Sequence, residues 1–305
     1  MILCCGEAVI DMLPTNATDG ARAFRPVPGG AAVNTAIALA RLGASSGYFG
    51  GIGTDDFAKI LLDAMRHEGV DASRNTPVNA PTTLAFIHPG EDTQGFSFYD
   101  LDSAGRSVSP LNLPTLDGVE AAVFGGISLI HKPAAGAFEA LMQAMGPNRL
   151  ILFDANIRPA LIGDQAADYH ARLMRMMAQA DIIKLSDEDC DWLHPDPPEQ
   201  LLQGRAALVV HSHGPDGVTL HSRHGAQHIP TTPVVVADTV GAGDTFNAGL
   251  LASLSEQNLL SPARLATSSA AGLTRAAALG LRAATFSVTR PGADAPTRKE
   301  LECAP

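Results

Sequence analysis

Short apolar runs recur along the chain, and stretches with apolar residues at helical spacing fall between them. Ile2–Cys5, Ala121–Phe124, Leu150–Phe153, Asp181–Leu185 and Ala207–Val210 read as strands. Ala31–Leu42, Phe57–His67, Ala134–Met145, Tyr169–Gln179, Asp244–Leu254 and Leu265–Ala278 read as helices. A strand that stays apolar at successive positions is buried on both faces. Alternating with helices, such strands predict an α/β fold with a mostly parallel central sheet covered on both sides.

Two segments break this alternation. Residues 13–28 and 81–102 carry the β-like pieces Ala23–Arg25, Thr82–His88 and Gly95–Tyr99 with no helix between them. Such pieces pair naturally as a small antiparallel sheet projecting from the body. A flap over a cleft is a lid that keeps water from reactive groups. A decorated surface loop accounts for the same pattern.

Composition narrows the class. The 305 residues are 46% hydrophobic and 17% charged, enough for a large buried core; the length suits one large domain or two smaller ones, and a single domain spanning 1–305 is the expectation. The net charge is −11 without a basic stripe, which argues against nucleic-acid and anionic-membrane partners. Cys4, Cys5, Cys190 and Cys303 show no C-x-x-C spacing and suit a reducing cytoplasm. The opening MILCCGEAVIDMLP has no basic n-region and reads as a first strand, not a signal peptide. No apolar run reaches transmembrane length.

The most informative stretch is Asp238–Leu250, DTVGAGDTFNAGL. It follows the β-rich run Val234–Val236 and opens a helix with Phe246, Leu250, Leu251 and Leu254 on one side. Gly241, Ala242 and Gly243 carry almost no bulk, so a phosphate can reach the backbone amides. Those amides and the first helical turn direct partial positive charge to one point. Asp244 stands at the mouth of this anion hole, where a carboxylate can take the proton of an attacking hydroxyl. In isolation Asp244 would read as an N-cap; the surrounding run favours the catalytic base. The chain has no Gly-Lys dipeptide and hence no Walker A loop. Gly50-Gly51-Ile52-Gly53 reads as a turn after a strand.

At these residues the chain resembles the ribokinase-like (PfkB) carbohydrate kinase family. Gly29-Gly30-Ala31-Ala32-Val33-Asn34, with its small-residue helix ending Leu42-Gly43, is similar to the family's first signature. Asp238–Leu250 is similar to the second, and Gly53-Thr54-Asp55-Asp56-Phe57 fits between them. The resemblance implies a ribokinase-like fold and phosphoryl transfer from ATP, with Mg²⁺ on the phosphates, to a sugar hydroxyl. It implies sugar contacts at Asp11, Gly30 and Asn34. Arg158, in Asp154-Ala155-Asn156-Ile157-Arg158-Pro159, would touch phosphate or substrate. Ser212, Gly214 and Gly217 resemble the turn that approaches ATP, with Ser212 standing where the family usually has Thr. Asp238 and Thr239 would contribute to a monovalent cation site, with K⁺ as the natural ion. Within the family, Gly-Glu-Ala-x-Ile-Asp-Met-Leu-Pro, Gly126–Leu129 and Asp154–Pro159 look most like bacterial fructokinases. Ribokinase, 2-keto-3-deoxygluconate kinase and aminoimidazole riboside kinase share the scaffold and remain open.

Some residues depart from the family pattern. Ser186-x-x-Asp189 stands where Asn-x-x-Glu is usual near Mg²⁺, which leaves Asp189 as the metal-associated carboxylate. Asp100 replaces a frequent Arg, and Ser103-Ala104-Gly105-Arg106 lacks a usual acid. Five of the ten histidines lie between His211 and His228. His211 and His213 would share a strand face, which is compatible with a transition-metal site; a surface hairpin is the favoured reading. A non-catalytic sugar or nucleotide sensor on this scaffold is the rival from another class, and an intact Asp244 argues against it. A Rossmann oxidoreductase would need Gly-x-Gly-x-x-Gly after the first strand, where Gly6-Glu7-Ala8 stands. Exposed lid edges would suit a homodimer.

Overall fold

The computed structural model describes residues 1–88 and 95–303. Residues 89–94 of the second flap segment, and 304–305 of the expected domain span, lie outside that description. Among the described residues, twelve strands build the two main sheets, and Gly51–Ile52 pairs with Thr76–Pro77 as a small third one. The larger contains β1 (Ile2–Cys5), β4 (Ser46–Phe49), β7 (Ala121–Gly125), β8 (Leu150–Asp154), β9 (Ile182–Ser186), β10 (Leu208–Ser212), β11 (Val218–Ser222) and β12 (Gly225–Ile229). Their order is β12-β11-β10-β9-β8-β7-β1-β4. All neighbours from β4 to β10 pair in parallel, and β11 and β12 add an antiparallel hairpin.

Alternate side chains of each parallel strand feed opposite cores. Ile2, Cys4, Leu150, Leu152 and Leu208 face one cluster; Leu3, Cys5, Ile151, Phe153 and Val209 face the other. The first face is covered by α1 (Ala31–Arg41), α2 (Asp56–His67), α6 (Ala242–Glu256) and α7 (Ala270–Ser287). The second is covered by α3 (Ala134–Ala144) and α4 (Ala166–Met177). A further helix, α5 (Asp187–Leu193), starts directly off β9.

Helix α6 is buried on all sides from Asp244 to Leu254, and its buried polar members Asp244 and Asn247 pair with Asn34 and Asp154. It crosses α7 at Gly249 and Gly280. A Cβ on Gly249 would stand 2.7 Å from Gly280 Cα, so the two backbones touch.

The smaller sheet contains β2 (Val9–Asn16), β3 (Arg22–Gly29), β5 (Thr83–His88) and β6 (Gly95–Tyr99), in the order β3-β2-β5-β6. It departs from the expected antiparallel flap in two ways. The β2–β5 pair is parallel, and the first segment runs from Val9 to Gly29, so Asp11 sits inside the sheet. Asp55 ties the two layers together. It caps α2 through Ala58 N at 2.8 Å and accepts from Thr82 N at 2.8 Å and Thr82 Oγ1 at 2.7 Å.

Two further expectations need correction. Val234–Val236 is not a strand; it is exposed chain between Pro230 and the bend before α6, with Val235 90% exposed. Pro230 and Pro233 lack N–H donors and deny the run a sheet partner. The last long helix begins at Ala270, not Leu265. Ser269 caps it through Gly272 N, and Pro262–Ala266 forms a separate short helix before it.

Candidate active site

The carboxyl ends of the parallel strands converge on one edge of the large sheet, where open α/β sheets hold their ligands. Glu7 follows β1, Gly125-Gly126 ends β7, Asp154–Arg158 follows β8, Ser186–Asp189 follows β9 and Ser212–Gly217 follows β10. The starts of α1 and α6 face the same edge.

Gly241 is the N-cap of α6, with φ 73° and no side-chain cap. A Cβ there would lie 2.6 Å from Ala293 Cβ, so the bend requires glycine on both counts. Ala242 N donates to Thr239 O at 3.2 Å within the bend. This amends the expected anion hole, because one of its three amides is spent internally. Among the described residues the Gly241, Gly243 and Asp244 amides have no acceptor. Asp244 is the third helical residue and not the cap, which removes the capping explanation for it.

Asp244 is 8% exposed. Asn34, in the second turn of α1, donates from Nδ2 to Asp244 Oδ2 at 3.0 Å. Burial pushes the carboxyl up to about 7. The Asn34 bond opposes that rise, the Asp154 and Glu7 charges add to it, and Arg158 offsets part. A carboxylate with this pKa is poised to accept a proton near neutrality.

Beneath the bend lies a buried ion pair. Lys184 Nζ, on β9, is 3.1 Å from Asp154 Oδ1, and both residues are almost fully buried. Asn247 Nδ2 donates to Asp154 Oδ2 at 2.6 Å. Burial alone would push the ammonium down, but Asp154, with Asp189 and Asp244 beyond it, holds it above the usual lysine value. A Cβ on Gly243 would stand 3.4 Å from Lys184 Nζ, so a fixed positive charge backs the anion hole. Lys184 was not singled out in the sequence. Its signal was a lone cation inside the apolar strand Ile182–Leu185.

Glu7 was also passed over. Its Oε1 accepts from Ala31 N at 3.3 Å, at the start of α1, and its Oε2 is buried without a hydrogen-bond partner. Burial raises its pKa, against the backbone amides and Arg158. Gly30, the N-cap of α1 with φ 97°, lies so close to Glu7 that a Cβ would stand 2.5 Å from its carbonyl.

The other expected residues are distributed as follows. Asp11 lies on β2 against Gly29, its carboxyl pushed up to about 6 by burial and by Asp238. Arg158 is exposed with no ion-pair partner among the described residues; its charge acts on Glu7 and Asp244. Ser212 closes β10 and donates to Leu185 O at 3.3 Å. Gly214 is exposed in the following turn, and Gly217 packs against Ile229 O.

Asp238 accepts from Val240 N and Gly292 N, which pins the bend to the segment after α7; Thr239 is exposed beside it. Asp189 is buried, and its oxygens accept from Ile157 N at 2.7 Å and Ser186 N at 2.8 Å. The carboxylate staples α5 to the β8 loop, and each oxygen keeps a further lone pair. At the lid, Asp100 and Arg106 form an ion pair, and Asp100 also accepts from Thr83 and Ser103 hydroxyls. The two departures from the family pattern therefore meet in one contact.

Free backbone amides at a helix start, a buried carboxylate beside them and a second sheet on the same edge are the parts of a sugar-phosphorylating enzyme. The sequence model of the pfkB family carbohydrate kinases matches residues 1–300. The chain belongs to the pfkB family of carbohydrate kinases. A fructokinase of Rhizobium leguminosarum bv. trifolii is 43% identical over 273 residues, covering 88% of this chain and 83% of that one. The solved structure of a Xylella fastidiosa fructokinase with bound ATP matches with a TM-score of 0.90 at 29% identity, over 99% of this chain and 97% of that chain. A Vibrio cholerae O395 fructokinase bound to fructose, ADP and calcium matches with a TM-score of 0.82 at 26% identity, over 99% and 97% of the two chains. As a member of the pfkB family, the chain is a sugar phosphotransferase. No helix among the described residues is long and apolar enough to cross a membrane.

Proposed function

We propose that this pfkB kinase transfers the terminal phosphoryl group of ATP to the C6 hydroxyl of fructose, in the cytoplasm. The Asn34–Asp244 contact carries the reading. Asn34 occupies Oδ2 and leaves Oδ1 to receive the hydroxyl proton. The Gly241, Gly243 and Asp244 amides hold the transferring phosphate, and Lys184 behind them offsets the charge that develops on it. Asp11, Gly30 and Asn34 bind sugar hydroxyls, Arg158 draws in the anionic donor, and the small sheet closes over both. Ser212, Gly214 and Gly217 border the nucleotide.

Mg²⁺, when bound, would offset the charge of the ATP phosphates. Asp189 is the carboxylate assigned to it, with a lone pair left on each oxygen beyond the two backbone bonds. K⁺ is assigned to the bend at Asp238 and Thr239 as an activator. Two copies pairing through the edges of their small sheets would bury strands that otherwise stay open.

An ADP-release assay across fructose, ribose, 2-keto-3-deoxygluconate and aminoimidazole riboside tests the reading. Fructose should give the highest kcat/KM by about tenfold or more, the scale that one well-paired hydroxyl contributes. A different preferred sugar would overturn the substrate assignment and leave the kinase chemistry standing.

A further inference from the structure

One side-chain cluster on the rim of the nucleotide edge has no part in phosphoryl transfer. Asp187 is the first residue of α5, directly after β9. His211 and His213 flank Ser212 at the end of β10. One carboxylate oxygen, Asp187 Oδ1, lies 2.9 Å from His211 Nε2 and 2.9 Å from His213 Nδ1. The two rings stand 4.2 Å apart at 52°. Cys190, one turn further along α5, places Sγ 3.6 Å from the same His211 Nε2.

We propose that Asp187, His211 and His213, with Cys190 as fourth donor, bind a borderline-soft divalent transition ion of the Zn²⁺ or Ni²⁺ class. The three N and O donor atoms all lie within 4.8 Å of one another. Around a tetrahedral ion with bonds near 2.0–2.1 Å to N and O, donors sit about 3.3 Å apart, and a sulfur bonded at 2.3 Å sits about 3.5 Å from a nitrogen. The two Asp187–histidine edges and the Cys190–His211 edge lie within about half an ångström of these spacings, while Cys190 Sγ falls outside the 4.8 Å cluster of the other three donors and must turn inward to close the site. Two imidazoles, one carboxylate and a thiol suit zinc or nickel, whereas Mg²⁺ and Ca²⁺ seek oxygen donors. The site therefore does not compete for the cation carried by ATP.

The surroundings support a metal-binding tautomer. His213 Nε2 is 3.0 Å from Thr219 Oγ1, so the ring can donate there and keep the Nδ1 lone pair for the ion. The His211–His213 spacing was visible in the sequence. The carboxylate and thiol come from a different strand end, brought alongside by the parallel β9–β10 pair. An ion here would tie the β9–α5 corner to the turn that carries Ser212 and Gly214. Ion binding itself does not depend on the substrate assigned above.

The test is Co²⁺ titration of untagged, metal-stripped protein followed by visible absorption. The account expects one equivalent bound, with tetrahedral d–d bands and a near-ultraviolet thiolate band, and displacement by Zn²⁺. The double variant His211→Gln/His213→Gln should weaken binding by about 100-fold or more, since loss of an outer-shell partner alone costs 10–100-fold. Asp187→Asn, at an exposed position that does not threaten folding, should weaken it at least about tenfold. Cys190→Ser should remove the thiolate band, and Cys303→Ser should leave it intact. Absence of stoichiometric binding overturns the proposal. So does binding undiminished in both the double variant and Asp187→Asn, or a thiolate band that follows Cys303.

Discussion

Two helices begin at the same edge of the sheet, and they treat their free amides in opposite ways. Helices α1 and α6 both start at a glycine in the left-handed region, Gly30 and Gly241, and neither has a side-chain cap. Bare helix starts attract anions. At α1 the protein fills the position itself: Glu7 accepts from Ala31 N and brings negative charge. At α6 no carboxylate caps the start, the Gly243 and Asp244 amides stay free, and Lys184 adds positive charge behind them. One backbone device thus yields a closed end suited to a neutral sugar and an open end suited to a phosphate. Asn34 and Asp244 join the two across a 3.0 Å bond.

The comparison breaks first at Asp244. Asp244→Asn keeps the shape and removes the base, so kcat should fall by about 10²–10⁴-fold, with affinity for a non-hydrolysable ATP analogue little changed in calorimetry. The same variant should be the more stable protein at pH 8. A raised carboxyl keeps its proton in the folded state while the unfolded chain releases it at the ordinary value of 3.8. Stability therefore drains as pH climbs from about 4 to about 7, by a few kcal/mol on the scale of ~1.4 per pKa unit. Urea unfolding at pH 4 and pH 8 should show wild type and variant alike at the lower pH and apart at the higher one.

Gly241→Ala attacks the open end directly. The new methyl meets Ala293 and strains a left-handed residue, at a cost of about 1–2 kcal/mol in stability. Displacing the amides should lower kcat by about 10²-fold, the scale of losing one oxyanion donor. Gly30→Ala at the closed end should chiefly raise KM for the sugar.

The smaller effects have opposite signs. Asn34→Ala removes the hydrogen bond that favours ionised Asp244, so the acid limb of the rate profile should move to higher pH. Glu7→Gln removes a charge that raises Asp244, so the limb should move to lower pH. Each shift should be about one pH unit or less, measured as kcat/KM for the sugar at saturating nucleotide. Movement in the same direction in both variants would contradict the arrangement of charges described.

Much of this was legible in the residues. Apolar strands alternating with helices gave the layered sheet, and the bulk-free run before Asp244 gave the anion site. What escaped notice depended on contacts between distant segments. Lys184 reads as an oddity in an apolar strand until Asp154 is seen beside it. Glu7 gains meaning only when β1 ends under the start of α1. Asp189 carries the charge expected of a metal-associated group, and only the fold shows that it also accepts from two backbone amides of different elements. The start of α7 was misplaced because apolar spacing continues through Pro262–Ala266, while Ser269 is the residue that caps the helix. The parallel β2–β5 pair joins segments with α1, β4 and α2 between them, which a reading of local pattern cannot register.

The most direct test is a crystal structure with fructose and a non-hydrolysable ATP analogue. The account predicts the terminal phosphate on the Gly243 and Asp244 amides, and a sugar hydroxyl oxygen about 3 Å from Asp244 Oδ1, within proton-transfer reach. A terminal phosphate bound away from the start of α6, or a sugar held beyond the reach of that carboxylate, would contradict it.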